Sequence, residues 1–127
     1  MKASRVVCVV VLAAIMLAGL LYIGDCIWIN STVALLMREA SAGDGEITAE
    51  ASPYVSPELY YNFDFSWLDP YDGAEVAPDA YKRDLGMMVS AHCFTKGAAF
   101  FNAGGVVATV WLEFRDGHWH VTDVYVP

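Results

Sequence analysis

The sequence predicts an α+β chain: one long apolar helix, an amphipathic helix, short helices, and a four-stranded antiparallel meander on which they pack. Three observations carry that expectation. Residues 6 to 24 hold no charge; Val33, Leu36, Met37 and Ala40 recur at helical spacing; and from Met87 onward apolar stretches alternate with turn signals. The 127 residues suffice for one small domain and an appendage. A hydrophobic content of 57% excludes a disordered chain, and a formal net charge of −8 leaves no basic surface for nucleic acid.

The uncharged run from Val6 to Gly24 is preceded by Lys2 and Arg5 and followed at once by Asp25. As a helix it is about 28 Å long, close to the ~30 Å hydrocarbon core of a bilayer. Cys26-Ile27-Trp28-Ile29 is expected to extend it with an interfacial tryptophan. The apolar region of a signal peptide is shorter, about 7–15 residues. Bulky Leu20, Leu21, Tyr22 and Ile23 also offer no small-x-small cleavage pattern, so an uncleaved transmembrane anchor is expected over residues 1–30. Asp25 argues against lipidation of Cys26, because the residue before a lipidated cysteine is normally small and neutral.

With Lys2 and Arg5 held on the cytoplasmic side, residues 31–127 form a domain outside the cytoplasm at the cell membrane, expected to fold alone as a soluble unit. That side of the chain carries Arg38, Lys82, Arg83, Lys96 and Arg115 against all fifteen acids, which disfavours charge-driven docking on anionic lipid. The anchor is thus the expected membrane contact. Three cysteines, one inside the apolar run, exclude a disulfide framework; a Cys26 to Cys93 bridge is open beside two separate thiols.

Asn30-Ser31 either caps a fresh helix or continues the first, and the amphipathic helix stops at Ala42-Gly43-Asp44-Gly45. Ser56-Pro57-Glu58 supplies an N-cap, a proline at the first helical position and an acid in the first turn, so a short helix runs through Tyr60-Tyr61. Residues 62 to 78 read as a structured loop with one short strand, in which Phe63, Phe65 and Trp67 are buried by alternation. Pro78-Asp79 opens a helical turn that pairs Asp79 with Arg83 and Tyr81 with Leu85 and ends near Gly86. Strands follow at Met87 to Phe94, Ala98 to Phe101, Val106 to Phe114 and His118 to Val126, with turns at Lys96-Gly97, Asn102 to Gly105 and Asp116-Gly117. Asp116-Gly117 is a type I′ signal; it sets Phe114 opposite Trp119 and Glu113 opposite His120. Alternation then puts Val110, Leu112, Phe114, Trp119 and Val121 on the core face, and Trp111, Glu113, Arg115, His118 and His120 on the other.

The helix ending in Ala42-Gly43-Asp44, the segment Tyr54-Val55-Ser56-Pro57-Glu58-Leu59 and the hairpin from Trp111 to Val124 resemble the nuclear transport factor 2-like (cystatin-like) superfamily. Small exported or membrane-anchored members of unknown function are the nearest in character, and the likeness spans roughly residues 31 to 127. It implies a helix-covered sheet with a cone-shaped pocket, although residues 62 to 80 carry less helix than that fold. The superfamily hosts isomerases, dehydratases and scaffolds, so the fold does not choose among them.

Among constellations with chemistry, Tyr60, Tyr61, Trp67 and Tyr71 supply the aromatic contacts that dominate interfaces, with acids between them. A protein or peptide partner, without cofactor or metal, is the expected ligand of this binding or scaffolding domain, whose oligomeric state the sequence leaves open. The enzyme alternative is an isomerase or dehydratase type pocket using His92 as a base with a carboxylate from Asp64, Asp69 or Asp123. The metal alternative sets His118 and His120 on one strand face with Glu113 across the hairpin, against the plainer reading of a solvated polar face. Asp69, Asp72 and Glu75 lack the spacing of a calcium loop. A phosphate-binding glycine loop, a nucleophile elbow and a Cys-x-x-Cys pair are all missing from the sequence.

Overall fold

Whether the first helix breaks at Asn30-Ser31 is decided by two hydroxyls. Ser31 Oγ donates to the Ile27 carbonyl at 2.8 Å and Thr32 Oγ1 to that of Trp28 at 3.0 Å. Bonding back to the preceding turn spends the capping groups on the helix they would have interrupted. One helix, α1, therefore runs from Lys2 to Ala42 in the computed structural model, which describes residues 2–43, 46–69, 71, 74, 77, 88–103 and 106–127. It is long and apolar enough to cross a membrane. The large apolar side chains from Val6 to Ile23 are exposed, whereas Ile29, Val33, Leu36 and Met37 are buried in the core.

The expected extension of the apolar span through Ile29 is corrected by these contacts. Ile29 is in the core, and Trp28 meets Phe114 edge to face with centroids 5.4 Å apart. Cys26 and Tyr22 touch the first strand. The packed unit thus reaches back to Tyr22, ahead of the boundary expected at residue 31.

A 3-10 turn, Ser52–Tyr54, precedes α2, Pro57–Asn62, whose N-cap Ser56 accepts from Leu59 N at 3.2 Å as its sequence predicts. The strand expected after α2 is replaced by a second 3-10 turn, Phe65–Leu68, capped by Asp64, whose carboxylate accepts from Ser66 N at 3.0 Å. A three-residue repeat puts positions i and i+3 on one side. Phe65 and Leu68 are accordingly buried while Trp67 is 49% exposed, so burial by alternation fails there. The helix expected from Pro78 to Gly86 lies outside the described residues.

The sheet is a meander of β1 Met88–Cys93, β2 Lys96–Ala103, β3 Val106–Arg115 and β4 His118–Tyr125 in the order β1-β2-β3-β4, all antiparallel. The architecture is α+β. At the last hairpin, Asp116 and Gly117 take φ of 53° and 84°, and Phe114 pairs with Trp119 and Glu113 with His120. Val110, Leu112, Trp119 and Val121 are buried against α1, and Phe114 is half-buried beside them. Two details depart from expectation. A bulge inserts Thr122 between the Leu112–Val121 and Trp111–Asp123 pairs, and its hydroxyl donates to the Trp111 carbonyl at 3.2 Å. The first turn is Phe94-Thr95 rather than Lys96-Gly97, since Cys93 pairs with Lys96. Gly97 sits within β2 because a Cβ there would come within 2.9 Å of Ile29 Cδ1 and 3.1 Å of the Trp119 ring. It marks a close approach, not a turn.

Candidate functional site

Three sets of residues carry the chemical expectations, and they lie apart in the fold. Tyr60 is 7% exposed, its ring stacked 6.1 Å from Phe65, and belongs to the core. Burial, then the nearby Glu39 carboxylate, pushes its phenol above the usual value. Tyr61 and Trp67 remain 54% and 49% exposed, the Tyr61 hydroxyl oxygen accepting from Ile47 N at 3.2 Å. Tyr71 is half-buried, its backbone N–H donating to Asp69 at 2.9 Å. Tyr60, Tyr61, Phe63, Asp64, Phe65 and Ser66 line a cleft of about 360 Å³ together with Ala40, at the carboxyl end of α1. Trp67 and Tyr71 do not line it.

His92 lies at the other end of the domain. Its ring stacks on Tyr22 at 4.2 Å and meets Trp119 edge to face at 5.9 Å. Tyr22 and Ala40 are about 27 Å apart along α1, so the structure does not bring His92 and Asp64 together. Asp64 is engaged by Ser66, Asp69 by Tyr71 N, and Asp123 lies beside Trp111 on the opposite sheet face from His92. The carboxylate that does approach His92 is Asp25, with Oδ2 3.7 Å from Nε2. Read as the end of an apolar run, Asp25 gave no sign of this role, which depends on β1 returning along α1.

On the outward face of the hairpin, His118 and His120 are half-buried while Arg115 and Trp111 stay exposed. His118 Nε2 lies 2.8 Å from the Pro53 carbonyl and its ring meets Tyr54 edge to face. Glu113 is held by Lys96 at 2.9 Å, and the hydrogen bond and charge of that ammonium lower its carboxyl below the usual range. Those partners engage His118 and Glu113, two of the three groups a metal would need, and among the described residues no cluster of three or more His, Cys, Asp or Glu is placed to hold one. Cys8, Cys26 and Cys93 are free thiols.

Burial, then the positive charges near Arg115 and His118, lowers the His120 imidazole below its ordinary value. The unfolded chain consequently takes up the proton first as pH falls. The stability this contributes is complete above the unfolded value and is lost as pH falls through the folded one. His120→Gln is expected to flatten the decline in melting temperature as pH falls below about 6.5. An unchanged slope would place the acid sensitivity elsewhere.

One surface feature of the sheet was not singled out from the sequence. On the sheet face away from α1, the register aligns Val89 with Phe100 and Ala91 with Ala98 and Trp111. Val89, Val107, Trp111 and Tyr125 are exposed there, and Phe100 borders on it. A shallow groove of about 490 Å³, lined by Ala91, Ala98, Phe100 and Trp111, adjoins this strip, with the Lys96–Glu113 pair at its charged end. Alternation on β3 had marked Trp111 as outward. Only the pairing of four strands gathers its neighbours into one patch. No family model, curated protein or solved structure compared with the chain matches it.

Proposed function

We propose that the chain is a single-pass membrane protein whose α1 crosses the cell membrane and whose remaining residues form an extracytoplasmic domain that binds or scaffolds a protein or peptide partner. The observation that carries the binding role is the exposed apolar strip around Trp111 and Phe100, since contiguous apolar surface of this kind marks contact sites. Supporting the anchor, the large apolar side chains from Val6 to Leu21 are exposed rather than packed in the core, and Lys2 and Arg5 precede them on the side that the positive-inside bias holds in the cytoplasm. Cleavage after residue 22 or beyond would also cut away the ring that stacks on His92. Membership of the nuclear transport factor 2-like superfamily is proposed with it, supported by a helix packed on an antiparallel meander and by the hairpin register.

A second contact surface is favoured by one observation: Tyr61 and Trp67 are both about half exposed at the end of the domain farthest along α1 from the apolar run. A photocrosslinking residue separates the two. Placed at position 111 in the full chain in intact membranes, it is expected to give a discrete protein adduct that one at Asp116 does not. Adducts at 67 alone would move the contact to the aromatic end, and none at either position would contradict a binding role.

A further inference from the structure

We propose that the β1–β2 turn is a second membrane contact, with Phe94 seated in the interfacial layer of the bilayer that α1 crosses. This rests on the reading of α1 as a span. The direction of β1 supplies the first argument. Ser90 Oγ donates to the Cys26 carbonyl at 3.0 Å; two residues on, His92 N donates to the Tyr22 hydroxyl oxygen at 3.2 Å. The strand therefore runs down α1 toward its amino terminus, and two further residues, up to about 7 Å of extended chain, bring it to Phe94. Helix side chains lean toward the amino terminus, so the Tyr22 hydroxyl already sits below its own Cα. The turn beyond it lies alongside the uncharged run.

Phe94 itself supplies the second argument. It is 92% exposed and takes φ of +54°, a left-handed conformation that glycine or asparagine enters easily and a bulky aromatic does not. Neither core packing nor turn geometry accounts for a phenylalanine there. A lipid interface does, because aromatic rings partition to that layer. Charge is consistent with the same occupant. Cys93, Phe94 and Thr95 are exposed and uncharged, and the adjoining Lys96 ammonium is neutralised by Glu113 at 2.9 Å. With acids dominating the domain, the contact is apolar insertion rather than attraction to anionic headgroups, and phosphatidylcholine alone suffices.

The test uses the full chain in phosphatidylcholine vesicles, with Cys8→Ser and Cys26→Ser leaving Cys93 to carry an environment-sensitive fluorophore. A second protein carries the label at Met16→Cys with all three native cysteines replaced. Iodide is expected to quench the Cys93 label at least threefold less than the same label in Phe94→Gly, a substitution that suits the left-handed backbone and removes only the ring. A shielded Met16 label with an equally quenched Cys93 label in both proteins overturns the second contact and leaves the span standing. A Met16 label open to iodide overturns both.

Discussion

Trp119→Ala is expected to lower the unfolding free energy by about 3–5 kcal/mol. The indole is 1% exposed, meets Phe114 at 5.4 Å and His92 at 5.9 Å, and lies against Gly97 beneath α1. Removing it leaves a cavity bounded by a helix and a sheet, neither of which can collapse without breaking its own hydrogen bonds. Urea unfolding of residues 22–127 measures the loss. A change under about 1 kcal/mol would mean that the hairpin is slipped by one residue and that the Trp111 face is the buried one.

A fragment starting at residue 31 is expected to be less stable than one starting at Tyr22 by about 3–5 kcal/mol. The shorter fragment lacks Ile29, which is wholly buried, and the Trp28 and Tyr22 rings that meet Phe114 and His92. Losing a buried isoleucine accounts for most of that difference, with each ring contact adding about 0.5–1.5 kcal/mol. Equal urea midpoints would show that the domain docks only on the helix beyond residue 30. The sequence alone sets the start of the domain at residue 31.

Local chemistry made the hairpin and the short helix legible. Asp116-Gly117 fixes a two-residue loop and hence the register of every pair down to Leu112 and Val121, and Ser56-Pro57-Glu58 fixes where α2 begins. Illegible features were those in which one residue type serves two ends. Gly97 reads as a turn, yet it is small because Ile29 and Trp119 cross above it. Cys26 to Ile29 read as lipid-facing because apolar side chains suit a bilayer and a protein core equally. The phenylalanines after α2 alternate as a strand does, but Asp64 caps a 3-10 turn that selects every third residue instead.

The candidate site was half visible for a related reason. Tyr61 and Trp67 were marked by residue type and remain exposed, while Tyr60 beside Tyr61 is core, since a helix turns adjacent residues by about 100° and here that turn carries the Tyr61 ring to the surface. The outer strip needs Val89, Phe100 and Trp111 from three strands, and the Asp25 approach to His92 needs a contact between positions 25 and 92. Neither is encoded in any local window.

The central claim is that one uninterrupted helix serves as both membrane span and core element. Intact-mass analysis of the protein extracted from membranes tests it most directly. The expected result is a chain that retains the whole run from Val6 to Gly24 joined to the domain, without lipid on Cys26; a mature chain beginning anywhere between residues 18 and 30, or one carrying a diacylglycerol on Cys26, would contradict it.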